Sequence, residues 1–138
     1  MKVFFDTNVY VAEALVGGAA EAMLSATANA AWRIFVSPYV LDEVERVLTE
    51  DLAFPRRLAR LTCQRCRRRA MHVKEHPSRH AVPDDPADSP ILQAAVQAGV
   101  DYLVTNDKQL LKLDPYEGLR IISMTGYYQL LVAEGLLP

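Results

Sequence analysis

The chain has 138 residues, 51% of them apolar and 23% charged, the size and composition of one compact domain over residues 1–138 and not those of a disordered chain. No apolar run approaches the ~18 to 20 residues that cross a bilayer, and Asp6 interrupts the opening Met1-Lys2-Val3-Phe4-Phe5 too early for a signal peptide. Two cysteines are too few for a disulfide scaffold, so the expectation is a soluble, cytoplasmic protein with free thiols and no membrane partner.

Lys2 to Phe5 reads as a short apolar strand ending at Asp6. Polar Thr7-Asn8 and an alanine-rich helical stretch from Val9 to Ala31 follow, with a break available at Gly17-Gly18. Arg33 to Val36 is a second strand. Ser37 and Pro38 then supply an N-cap and a first helical residue for a helix running to about Thr49. Leu52 to about Met71 reads as helix, Val73 as part of a weakly marked third strand, and Pro77 to Pro86 as a polar, proline-rich loop. Asp88 to Gly99 is a helix stopped by glycine, Tyr102 to Val104 and Leu119 to Ser123 are strands, and a last helix runs from about Thr125 to Glu134. Strands separated by helices predict an α/β fold: a single three-layer α/β/α domain around a central, mostly parallel twisted sheet.

The formal net charge of −2 conceals a strong asymmetry. Between Arg56 and His80 nine basic residues face one acid, Glu75, whereas the rest of the chain carries six basic and sixteen acidic residues. A basic arm on an acidic body suits an enzyme that grips phosphates with arginine and holds cations with carboxylates. A solvated, arginine-rich helix face would show the same count.

Ligands in open α/β sheets gather beyond the carboxyl ends of the strands, and two acids fall there. Asp6 ends the first strand, and Asp107 follows Tyr102-Leu103-Val104 through Thr105-Asn106. Helix capping is the plainer explanation of each taken alone. In the helix after Pro38, residues Val40, Leu41, Val44, Val47 and Leu48 form one stripe; Asp42 points away from it, while Glu43 and Glu45 flank it on opposite sides. Spacing does not choose between those two glutamates. Asp88 lies three residues before Ile91 and shares the face of Ile91, Leu92, Ala95 and Ala98, an inward aim that costs free energy unless a partner neutralises the charge. Capping by Asp88 or Ser89 ahead of Pro90, and by Asp85 ahead of Pro86, competes with a functional reading; Asp84 reads as solvated loop.

Phe5-Asp6-Thr7-Asn8-Val9, Ser37-Pro38-x-x-Leu41-x-Glu43-x-x-x-Val47-Leu48, Asp85-Pro86-x-Asp88-x-Pro90-Ile91-Leu92 and Tyr102-Leu103-Val104-Thr105-Asn106-Asp107-x-x-Leu110-Leu111, in that order, resemble the motifs of PIN-domain ribonucleases. The nearest likeness is to the VapC-like toxin components of bacterial toxin–antitoxin systems. It covers nearly the whole chain and is weakest from Leu52 to Pro83. The resemblance implies a PIN-like fold and a catalytic, metal-binding site of four acids, which match Asp6, Glu43, Asp88 and Asp107, and so favours Glu43 over Glu45. Asn8 and Thr105 match polar positions lining that site, and Asp85 matches a frequent additional acid. It also implies RNA as substrate, products with a 5′-phosphate and a 3′-hydroxyl, an antitoxin partner and a homodimer.

Clustered carboxylates repel and raise one another's pKa unless a divalent cation is present, and an all-oxygen set suits Mg²⁺ or Mn²⁺ better than zinc. Such an ion would activate water for in-line attack on a phosphodiester and stabilise the leaving oxygen, and a second ion ~4 Å away would share those tasks. Asp6 and Asp107 are the expected principal ligands, with Glu43 and Asp88 acting directly or through water. Arg56, Arg57, Arg60, Arg65, Arg67, Arg68 and Arg69 are the expected contacts to the RNA backbone. Three rivals remain. Cys63-x-x-Cys66 with His72 and His76 supplies zinc-type ligands, although the separation of Cys66 from His72 is unlike a zinc finger and ordinary buried thiols explain the cysteines. A catalytically silent RNA-binding or regulatory module would use the same scaffold. A phosphotransfer receiver domain needs an Asp and Lys pair on separate strand ends, which the sequence does not supply. Tyr127, Tyr128, Leu130 and Leu131 read as core or dimer packing.

Overall fold

The computed structural model describes residues 1–74 and 89–138. The expected loop at Pro77 to Pro86 and residues Asp84, Asp85, Asp88 and His76 lie outside the described residues. Strand β1 (Lys2–Phe5) leads into helices α1 (Thr7–Leu15) and α2 (Gly18–Asn29), then β2 (Arg33–Val36), α3 (Pro38–Arg46), α4 (Arg56–Arg69) and β3 (Ala70–His72). The chain continues with α5 (Ser89–Ala98), β4 (Tyr102–Val104), α6 (Lys108–Leu111), β5 (Arg120–Ile122) and α7 (Met124–Ala133). The five strands form one all-parallel sheet in the order β3-β2-β1-β4-β5. With the helices it makes the three-layer α/β/α arrangement expected from the alternation of elements. Among the described residues, no single helix is long and apolar enough to cross a membrane.

Burial explains the central position of β1. Val3, Phe4 and Phe5 have no exposed surface, as a strand covered on both faces requires. Phe5 meets the rings of Tyr10 and Tyr127 edge-on, at centroid distances of 6.1 and 5.5 Å. Tyr127 and Leu131 are thus core residues, while Tyr128 and Leu130 pack half-buried against that core. The Tyr127 hydroxyl and the Thr27 hydroxyl lie 2.6 Å apart, and Thr27 also donates to the carbonyl of Met23. Because Thr27 keeps the second bond, Tyr127→Phe is expected to lower stability by only about 1 kcal/mol in urea unfolding. A loss above about 3 kcal/mol would mean that the ring itself had shifted.

Local chemistry sets several boundaries. Ser37 Oγ accepts from Val40 N–H at 3.2 Å, with Pro38 at the first helical position. Gly17 and Gly18 both take positive φ, at 78° and 48°, and the chain bends 116° there between α1 and α2. Two expected helices differ in extent. The helix after Pro38 does not run regularly to Thr49; it changes at Val47 into a wider π-type turn through Asp51. The next begins at Arg56 rather than Leu52, because Ala53 is left-handed (φ 54°) and Pro55 directly precedes the first turn. That helix ends at Arg69, and the third strand is Ala70–His72, not a strand at Val73, although Val73 N–H still bonds to Val36 C=O at 2.9 Å. Ala-Met-His carries little strand propensity; pairing with Ile34, Phe35 and Val36 makes it a strand.

Candidate active site

The strand order creates the site. Successive crossovers move outward from β1 to β2 and β3, and the chain then returns to place β4 on the other side of β1. The crevice beyond the carboxyl ends of β1 and β4 is therefore the topological switch point, where open α/β sheets bind ligands. Asp6 and Thr105 are the residues immediately past those two strand ends. Asp6 N–H bonds to Val104 C=O at 3.0 Å, and Thr105 Oγ1 donates to Asp6 Oδ2 at 2.6 Å.

Asp6 is only 4% exposed. Its Oδ1 accepts from Thr7 N–H at 2.6 Å and caps α1. Burial lifts its carboxyl above the ordinary value of 3.8; the bonds from Thr105 and Thr7 oppose that rise, and the negative charges of Asp107 and Glu43 add to it. Asp107 caps α6, accepting from Gln109 N–H at 2.8 Å and Leu110 N–H at 3.2 Å, while its own N–H bonds to Thr105 Oγ1 at 3.0 Å. Thr105 therefore ties the two acids together. Capping and site-building are not alternatives here: each Asp caps a helix with one oxygen and keeps a second oxygen free of that task.

Glu43 extends from α3, its side chain 28% exposed, and takes a 3.2 Å ion pair from Arg46. Its charge is felt at Asp6. Glu45, by contrast, lines a cleft toward α4 with Asp42, Arg46, Glu50, Arg56 and Arg60. Asn8 is exposed on the first turn of α1. Asp85 and Asp88 lie outside the described residues. The structure thus brings Asp6, Thr105 and Asp107 into one hydrogen-bonded unit, with Glu43 as a neighbouring charge.

The donors here fit a hard divalent cation: carboxylates and a hydroxyl, with an excess of negative charge that burial at Asp6 makes costly. Among the described residues no three His, Cys, Asp or Glu side chains already surround a common point as a ligand set, and Glu43 is engaged by Arg46. Cys63 and Cys66 are buried free thiols. Burial pushes the Cys66 thiol up to about 11, as for an ordinary packed thiol. His72 is exposed on β3.

The arginines of α4 divide into two groups. Arg56, Arg57, Arg60, Arg67 and Arg68 are exposed. Arg69 turns inward, its side chain 16% exposed, and grips Glu13 through both terminal nitrogens at 2.8 and 2.7 Å. Arg65 adds a 3.1 Å bond to the same carboxylate. Sequence reasoning passed over Glu13, in the alanine-rich first helix, and Arg46; the one signal available was the three-residue spacing of Glu43 and Arg46, which puts opposite charges on one helix face.

The model of the family described as PIN domain matches residues 2–109, a span that contains Asp6, Glu43, Thr105 and Asp107. No curated protein matches the chain. A match over more than half of the chain, joined to this parallel sheet and its acidic switch point, means that the chain belongs to the PIN domain family, whose members are generally nucleases that use divalent metals.

Proposed function

We propose that the protein is an endoribonuclease dependent on Mg²⁺ or Mn²⁺ that hydrolyses RNA phosphodiester bonds. The observation that carries this reading is the Thr105-linked pair Asp6 and Asp107 at the β1/β4 switch point, with Glu43 close enough for its charge to register at Asp6. Asp6, Glu43 and Asp107 would hold the cation, with Asp88 as the fourth acid implied by the motifs. The cation supplies an activated water and a stabilised leaving oxygen. Thr105 orients the Asp6 carboxylate and holds the backbone of Asp107, Asn8 lines the crevice, and Asp85 is the additional acid that the motifs imply. The exposed Arg56, Arg57, Arg60, Arg67 and Arg68 position the phosphate backbone, with Arg65 contributing what its bond to Glu13 leaves free.

The likeness of the four motifs to toxin components supports a role as the toxin of a toxin–antitoxin pair, acting in the cytoplasm as a homodimer. A silent RNA-binding module is the second reading, favoured by the Glu43–Arg46 pair, which occupies a ligand carboxylate. Incubating the protein with a mixed RNA pool distinguishes them. The expected result is cleavage with Mn²⁺, none with chelator, and fragments whose 5′-phosphates accept a ligated adaptor. RNA that is bound but left intact in Mn²⁺ would favour the module.

A further inference from the structure

We infer that Arg46 is a substrate-binding residue of this site: it neutralises Glu43 while the cation is absent, and turns to an RNA phosphate once the cation claims that carboxylate. The inference rests on the nuclease reading above. Arg46 stands one helical turn after Glu43, and its Nη2 lies 3.2 Å from Glu43 Oε2. Its other terminal nitrogen is 3.9 Å from both Glu50 and Asp51 on the wide turn that ends α3. With 47% of its side chain exposed, the guanidinium is held by three carboxylates, none of them buried with it.

An exposed pair at this spacing biases an equilibrium by only about a factor of two. A dication therefore displaces Arg46 from Glu43 easily, and the released guanidinium has a second direction to face. It lines a cleft of about 340 Å³ with Arg56 and Arg60 on one side and Asp42, Glu45 and Glu50 on the other. Arg46 is thus the residue that joins the arginines of α4 to the acidic crevice. A phosphate entering between them meets a cation that Glu43 no longer occupies, in the bidentate geometry that arginine offers to phosphate.

The test reads two quantities whose changes have opposite signs. In calorimetry without RNA, Arg46→Gln is expected to bind Mn²⁺ about 2-fold more tightly than wild type, because a competing positive charge beside Glu43 is gone. With a labelled single-stranded RNA in Ca²⁺, under conditions where a gel shows the strand intact, the same variant is expected to bind several-fold more weakly. Its slope of log affinity against log salt should fall by about 0.7, one phosphate contact on a single strand. Arg46→Lys keeps the charge and should retain both wild-type Mn²⁺ affinity and most of the salt slope. A residue that only braces the helix would not move the two affinities in opposite directions. Mn²⁺ affinity that is unchanged or weaker in Arg46→Gln, or a salt slope equal to wild type's, overturns the inference. If wild-type protein itself binds no Mn²⁺, the nuclease reading fails, and that is seen before any variant is made.

Discussion

Asp6→Asn is expected to leave the fold intact and to lower Mn²⁺-dependent RNA cleavage by at least about 100-fold, the scale of removing one well-placed electrostatic group from an active site. Asn caps helices as well as Asp does, so the side-chain oxygen can still accept from Thr7 N–H, where Oδ1 now sits at 2.6 Å. What disappears is the buried charge. The substitution therefore separates the capping role of this residue from its role as a cation ligand. Cleavage assays on wild type and variant purified in parallel, with thermal melts as the folding control, measure both. Equal cleavage by the two proteins would mean a contaminating nuclease or a reaction centre elsewhere.

The same residue gives a pH signature. Burial, reinforced by Asp107 and Glu43, raises the Asp6 carboxyl in the folded protein above its ordinary 3.8, so the fold binds this proton more tightly than the unfolded chain does. Its contribution to stability is fully present below the unfolded value and is lost as pH rises through the raised folded value. In chelator, the melting temperature of Asp6→Asn minus that of wild type should accordingly grow as pH rises from about 4 toward neutrality. Saturating Mn²⁺ should reverse that trend, since the cation competes with the proton and binds the folded state. A difference that does not change with pH in chelator would show that the Asp6 carboxyl titrates normally.

Glu13→Ala is expected to destabilise the protein by about 3 kcal/mol, the lower end of the cost of removing one partner from a buried ion pair. Glu13's side chain is 3% exposed and receives both Arg69 and Arg65. Its loss strands the Arg69 guanidinium, whose Nε is already buried without a partner. Burial pulls the Arg69 guanidinium down, yet the hydrogen bond and charge of Glu13 outweigh it and hold the group above its usual range, a balance that depends on Glu13 staying in place. Urea unfolding provides the measurement, and a companion Glu13→Ala, Arg69→Met double variant should recover much of the loss because no orphaned charge remains. A loss below about 0.5 kcal/mol would mean that the pair behaves as a solvated one. Because this ion pair pins α4 to α1, the single variant should also weaken RNA binding by loosening the helix that displays Arg56, Arg60 and Arg67.

Features that depend on neighbours in the chain were legible in advance. The apolar run before Asp6, the Ser37-Pro38 helix start and the strand Tyr102–Val104 appear where local propensity and capping place them, since each is decided within one or two turns of backbone. The acids at the ends of β1 and β4 were legible for the same reason. β3 was misplaced because Ala-Met-His becomes a strand only through its partner β2. The choice of Glu43 over Glu45 came from motif resemblance, because both flank the apolar stripe of α3 equally. Their surroundings differ only once the sheet sets Asp6 near one of them and α4 forms a cleft with the other.

By itself, then, the sequence determined the α/β alternation, the two strand-end carboxylates and the basic arm, all of them consequences of local pattern and composition. The tertiary structure decided which arginines face solvent and which one turns in to Glu13, 56 positions away. It also decided that Thr105 would join Asp6 to Asp107 and that Arg46 would sit on Glu43. Those outcomes required packing, because the energy of a charge depends on what burial removes from around it and which partner the fold brings within reach, and no stretch of sequence carries that information alone.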